Sequence, residues 1–101
     1  MLSITTNKEG SNLTLTLSGR LDAITAMDLD QALRECNTED VRALTFDVEN
    51  VEYISSAGLR IMLRTTQELD MRGGRCSIAK ASSSLLETFE VTGLMTILHI
   101  V

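Results

Sequence analysis

The segment Leu13-Thr14-Leu15-Thr16-Leu17-Ser18 alternates apolar and polar side chains with a period of two. An extended chain places every second residue on the same face, so this pattern reads as a strand with one buried side. A row of leucines on a strand needs a second layer to cover it, which already restricts the fold to a sheet packed against something else. Residues 2 to 6 form a weaker strand. The stretch Lys8-Glu9-Gly10-Ser11-Asn12 has turn chemistry, so the two strands pair as a hairpin.

The rest of the chain supplies the covering layer. After Gly19-Arg20-Leu21-Asp22, Thr25 and Asp28 are spaced as a capping box, and Ile24 and Leu29 as a hydrophobic staple across it. Leu29, Ala32, Leu33 and Cys36 then fall on one helical face. Val41 to Val48 is apolar and rich in strand formers, as expected of a strand covered on both faces. Residues 56 to 71 form the longest predicted helix, with Leu59, Met62, Leu63, Thr66 and Leu69 inward and Arg60, Arg64, Gln67 and Glu68 outward. Arg72-Gly73-Gly74 stops it. A short strand over Cys76–Ala79, a helix over Ser82–Val91 ending at Gly93, and a strand over Met95–Ile100 complete the pattern. The order β-β-α-β-α-β-α-β gives an α/β sandwich on a mixed sheet, with right-handed helical crossovers after an N-terminal hairpin. Such sheets carry their chemistry in the loops at the carboxyl ends of parallel strands, and residues 48 to 56 are one such loop.

With 101 residues, the chain is read as one domain over residues 1–101. Its net charge of −5 and the lack of a Lys/Arg cluster remove the electrostatic footprint of a nucleic-acid or anionic-membrane binder. No stretch has the length and apolarity of a membrane-spanning helix and residues 1 to 20 show no signal-peptide pattern, so a cytoplasmic protein is expected. Cys36 and Cys76 are far apart and in no CxxC spacing, which predicts two buried, reduced thiols. The three aromatics, Phe46, Tyr53 and Phe89, are too few for a base- or sugar-stacking surface.

The most informative stretch is Val51-Glu52-Tyr53-Ile54-Ser55-Ser56-Ala57-Gly58-Leu59-Arg60. A serine here can simply cap the long helix. Capping does not account for the neighbours: a first helical turn favours Asp or Glu, and Ala57, Gly58, Leu59 and Arg60 supply neither. An uncompensated helix start can hold an anion, and a phosphate on Ser56 would lie at its mouth. Other chemistries fit less well. A hydrolase elbow needs glycine where Ile54 stands. His99, the single histidine, lies in an apolar tail as an outward strand residue, and no carboxylate–histidine spacing suggests a catalytic metal. Gly73-Gly74 is too short to cradle a nucleotide. No active site and no cofactor are expected.

Taken together, the chain resembles the STAS family, which includes bacterial anti-sigma factor antagonists and the tails of sulphate transporters. The resemblance spans nearly the whole sequence. It rests on Gly19-Arg20-Leu21-Asp22, Leu44-Thr45-Phe46-Asp47, Tyr53-Ile54-Ser55-Ser56-Ala57-Gly58-Leu59 and Val91-Thr92-Gly93-Leu94, in that order and spacing. It implies that Ser56, two residues before the motif glycine, is the phosphoacceptor. Ser55 stands where relatives commonly have Asp. Asp22 and Asp47 match acidic positions bordering the site, with turn capping as the ordinary alternative, and Ala57 and Gly58 would permit close approach. The implied function is that of a phosphorylation-switched binding module. Unphosphorylated, it would bind an anti-sigma factor that is also a serine kinase and so release a sigma factor. Phosphorylation would end the binding and a phosphatase restore it, with ATP and Mg²⁺ belonging to the kinase. Two alternatives use the same fold without a phosphorylation cycle: a structural or regulatory subunit of a larger signalling assembly, and a domain related to transporter tails. Relatives continue into a further helix beyond the last strand, so an end at Val101 would leave room for a partner or a weak homodimer.

Overall fold

The structure, a computed structural model, describes residues 1–36 and 38–101. Five strands, β1 (Leu2–Glu9), β2 (Asn12–Leu21), β3 (Ala43–Ile54), β4 (Arg75–Ala79) and β5 (His99–Ile100), form one sheet in the order β1-β2-β3-β4-β5. β1 and β2 are antiparallel, and β2 through β5 run parallel. Three helices, α1 (Thr25–Glu35), α2 (Ser56–Met71) and α3 (Ser83–Val91), connect the parallel strands. Because each crossover steps the same way along the sheet, right-handed connections set all three on one face.

The burial pattern follows from this. Leu13, Leu15 and Leu17 on β2, Leu44, Phe46 and Val48 on β3, and Cys76 and Ile78 on β4 are buried in one core with Leu29, Met62, Leu69, Leu85 and Phe89 from the helices. The alternate residues Thr14, Thr16, Thr45, Asp47 and Ser77 are only half-buried. The expectation that Val41–Val48 is covered on both faces is therefore corrected. Its strand alternates like β2, and the apolar run reflects Val41 and Ala43 flanking the alternation rather than a second covering layer.

Several boundaries also differ. β1 extends to Glu9 because Glu9 pairs with Asn12, leaving Gly10-Ser11 as a two-residue turn with Gly10 at φ +61°. Glycine first in such a turn matches the right-handed twist of the flanking strands, so less of the loop is needed than its composition suggested. The last strand is two residues rather than six, because Gly93 at φ +78° ends α3 and Leu94–Thr96 then form a 3-10 turn. Both cysteines are free thiols, but only Cys76 is buried and Cys36 is half-exposed at the end of α1. Burial pushes the Cys76 thiol up to about 11.

Candidate functional site

β2 and β3 run side by side to a common end, where Leu21 pairs with Ile54. The loops that follow start α1 and α2, so both helix N-termini emerge at one corner. A direct bond ties them, with the Ser55 N–H donating to the Leu21 carbonyl at 2.8 Å.

Ser55 is the N-cap of α2. Its backbone is extended (φ −82°, ψ 169°), and its Oγ accepts the Gly58 N–H at 3.3 Å. Ser56 is therefore the first helical residue, and it is exposed. Among the described residues its hydroxyl makes no hydrogen bond, and the first turn of α2 contains no acid. The two adjacent serines thus divide their roles: one hydroxyl completes the helix and the other faces solvent.

Gly58 is packed into the corner itself. It is buried, and a Cβ there would lie 2.6 Å from Leu21 Cγ and 3.2 Å from Ile54 Cγ2. The missing side chain lets α2 seat on the ends of β2 and β3, so close approach is made by the protein's own core. Ala57 is half-buried and lines a groove beside the corner.

Asp22 is at this corner as well, but it caps α1. Its Oδ1 accepts the N–H of Ile24 at 3.0 Å and of Thr25 at 2.9 Å, and the Thr25 hydroxyl lies 3.0 Å away. The Thr25 hydroxyl also donates to the Arg20 carbonyl at 2.7 Å. The Thr25 N–H, followed by its hydroxyl, holds the Asp22 carboxyl below its ordinary value of 3.8. The expected Thr25/Asp28 capping box is thus replaced by an Asp22–Thr25 exchange. The Ile24/Leu29 staple does not form either: Ile24 is 76% exposed while Leu29 is fully buried.

Asp47 lies elsewhere. It pairs with Thr16, five residues before the Leu21 end of β2 and so about 17 Å back along the strand, with two register shifts in β3 between it and Ile54. Its carboxylate accepts the Glu49 N–H at 3.2 Å and meets Lys80 Nζ at 3.4 Å. Asp22, Ser55, Ser56, Ala57 and Gly58 come together, and Asp47 does not. His99 is occupied at the far edge of the sheet, its Nε2 lying 3.3 Å from Asp70 Oδ1. Among the described residues no His, Cys, Asp and Glu side chains cluster in a way that could hold a metal ion.

Some of the surroundings had no clear sequence signal. Arg20 stacks on the Tyr53 ring at 4.6 Å beside the corner, a pairing set by strand register. Ile24 and Met27 are exposed apolar residues next to the site, and Arg60 stands one turn beyond Ser56 on α2. The hint available in the sequence was an isoleucine at a helix start whose staple partner belongs to the core.

A family model described as "Mlab, STAS domain" matches residues 4–100. An anti-sigma-B factor antagonist of Staphylococcus aureus is 27% identical over 99 residues, covering 98% of this chain and 92% of that protein. Among solved structures, an anti-sigma factor antagonist from Mycobacterium paratuberculosis superposes with a TM-score of 0.86 at 23% identity, over 99% of this chain and 85% of the other. The Bacillus cell fate determinant SpoIIAA in its phosphorylated form gives 0.76 at 17% identity, over 98% and 91%. At these identities the structural likeness establishes the fold. Within this chain, no helix is long and apolar enough to cross a membrane among the described residues.

Proposed function

The chain belongs to the STAS domain family, and we propose that within it the protein works as an anti-sigma factor antagonist switched by phosphorylation of Ser56. In this reading the unphosphorylated protein binds an anti-sigma factor with serine-kinase activity in the cytoplasm and frees a sigma factor. The kinase then uses Ser56 as its substrate, and a phosphatase reverses the modification. The protein is a substrate and a binding module, with Asp22 and Ser55 at the rim of the contact surface.

The observation that carries the reading is where the division of labour at the α2 start sits, at the corner where β2 and β3 end together and α1 begins. Ser55 supplies the cap, and Ser56 offers an exposed, unbonded hydroxyl at an acid-free helix end. Modifying Ser56 removes no bond the fold uses, and the added charge meets the positive end of the helix. The S. aureus relative and the phosphorylated SpoIIAA structure support the same reading. The test is incubation with the cognate kinase and ATP followed by peptide mass mapping. Phosphate is expected on Ser56 and none on Ser56→Ala. Modification that persists in Ser56→Ala and disappears in Ser55→Ala overturns the assignment.

A second reading, a STAS-type subunit of a larger assembly without a phosphorylation cycle, is favoured by Ser55 itself. It stands where the family resemblance implies a carboxylate, and it leaves the proposed acceptor without an adjacent acid. A chain that binds its partner equally well before and after exhaustive kinase treatment fits that reading instead.

A further inference from the structure

α1 and α2 lie side by side, and the seam between them changes character along its length. Toward the C-terminal halves it is ionic: Asp30 is held by both Arg34 and Arg64, and Arg64 also reaches Glu68 at 3.5 Å. The seam opens on both sides of the Asp30–Arg64 bridge: a polar cleft of about 320 Å³ lies beside Arg34 and Glu68, and toward the N-termini there is a groove of about 220 Å³ lined by Ala23, Ala26, Met27, Ala57, Arg60 and Ile61. The alanines leave its walls low. On the α1 side, Ile24 and Met27 stand three residues apart with 76% and 70% of their surface exposed. That spacing puts them on one side of the helix. Single exposed apolar residues are ordinary, but here Met27 lines an alanine-rich groove and Ile24 adds a second large apolar side chain one turn before it.

The charge on the groove identifies what fits it. Asp30, the acid among the lining residues, is already shared by two arginines. Arg60 makes no ion pair among the described residues, so the groove carries a surplus cation in a chain of net charge −5. We infer that this groove docks an acidic amphipathic helix of a partner protein, with apolar side chains between Met27 and Ile61 and a carboxylate against Arg60. Ser56 precedes Arg60 by one helical turn, so the groove opens beside the corner. For the partner's identity, the inference rests on the antagonist reading. For the chemistry the groove recognises, it rests on the groove alone.

The test uses the full chain carrying Ser56→Ala, expressed in its source organism with the photo-cross-linking residue p-benzoylphenylalanine at position 27. A second chain carries it at position 91, where Val91 is 80% exposed on α3. Cross-linked peptides are sequenced by mass spectrometry. The expected product joins position 27 to a segment with apolar residues at helical spacing and Asp or Glu beside them. Arg60→Glu should lower its yield at least about tenfold, and changing the segment's acid to Lys should restore it. Melting curves matching the unsubstituted chain establish that these exposed substitutions leave the fold intact. An unchanged yield in Arg60→Glu, a basic segment, a second copy of this chain as the product, or cross-linking at position 91 alone overturns the proposal. The two readings fail separately. The position-27 product, with no phosphate found on Ser56 of the unsubstituted chain after kinase treatment, sinks the switch and upholds the groove. Phosphate on Ser56 of the unsubstituted chain, with position 27 silent in the cross-linking chain, sinks the groove alone.

Discussion

The chain has two serine-capped helix starts that are nearly identical in local geometry. Ser55 before α2 and Ser82 before α3 are both extended, at φ −82° and −68°, and each accepts the N–H three residues on, at 3.3 and 3.2 Å. Each is followed by an exposed serine, Ser56 or Ser83, and neither first turn contains an acid. Local sequence and local structure therefore do not tell the corners apart. What separates them is tertiary. The third helical position is Gly58 in α2, filled from outside by Leu21, and Leu85 in α3, which fills the core itself. The α2 corner is bonded to β2 and lies against the α1 start, whereas α3 follows Lys80, whose φ of +63° turns the chain away from β4. A capping serine and a free helix end are thus poor evidence of a switch by themselves. The role proposed for Ser56 rests on the neighbouring surface.

The sharpest way to break this comparison is to place the same charge at both corners. Phosphoserine installed at position 56 should weaken binding of the anti-sigma factor by orders of magnitude, because a desolvated anion beside Asp22 costs several kcal/mol across an interface. At position 83 it should leave affinity unchanged. Neither should lower the melting temperature much, since a charge at the positive end of a helix is stabilising by about 0.3–1 kcal/mol. Ser56→Glu should mimic the effect in part. Partner titrations and thermal melts decide the matter, and equal loss of affinity at both positions would remove the special status of the α2 corner.

The next largest effects concern the third helical positions and should have opposite causes. Leu85→Ala deletes buried atoms and should cost about 2–5 kcal/mol through the cavity it leaves. Gly58→Ala adds one atom, which must displace the Leu21 side chain 2.6 Å away, and should cost about 1–3 kcal/mol by overpacking. Leu21→Ala combined with Gly58→Ala should then be less destabilising than the sum of the two changes, as residues sharing one space are not additive. Denaturant unfolding of the four variants measures this. Additivity would mean that Gly58 is there for the partner rather than for Leu21.

The order of elements, the hairpin and the helices were legible because hydrophobic period and turn residues act locally, as in Leu13-Leu15-Leu17 and Arg72-Gly73-Gly74. The one-sided cover was not, since an apolar run such as Val41–Val48 looks alike whether its alternate residues meet a second layer or water. The corner itself was legible as a motif, but the partition between Ser55 and Ser56 depends on one backbone angle pair. Asp22 belongs to the corner because β2 and β3 end side by side, and Asp47 is excluded because it pairs with Thr16 and two register shifts lengthen β3 between it and the corner. Register, which sequence specifies only through many contacts at once, decided both. The failed Ile24 staple had the same origin: Asp22 caps the helix without it, freeing the side chain.

Removing the two serine caps should give a smaller, matched pair of effects. Ser55→Ala and Ser82→Ala should each cost about 1 kcal/mol. The Ser55 change should also expose the amides at the α2 start to faster hydrogen exchange while leaving α3 protected, and the Ser82 change should do the reverse. A loss in Ser55→Ala that spreads equally to both helices would mean the corners are coupled through the sheet.

The smallest effect should come from acid, and it distinguishes the α1 cap from both serine caps. Asp22 holds α1 as a carboxylate, with its pKa below the ordinary 3.8 because the folded chain presents the Thr25 N–H and hydroxyl to the charged form. A depressed folded value means that the stabilisation is complete above the unfolded value and is lost as pH falls through the folded one. Asp30 follows the same direction, held down first by its bond from Arg64, so the link between α1 and α2 weakens in the same acidic range. Hydroxyl caps do not titrate. On acidification below 3.8, amide exchange should therefore rise first in the opening turn of α1, with the starts of α2 and α3 still protected. Asp22→Asn retains an acceptor but no charge change. It should begin somewhat less stable near neutral pH and lose less on acidification, and an acid limb as steep as that of the unsubstituted chain would show that the α1 cap is not what acid releases.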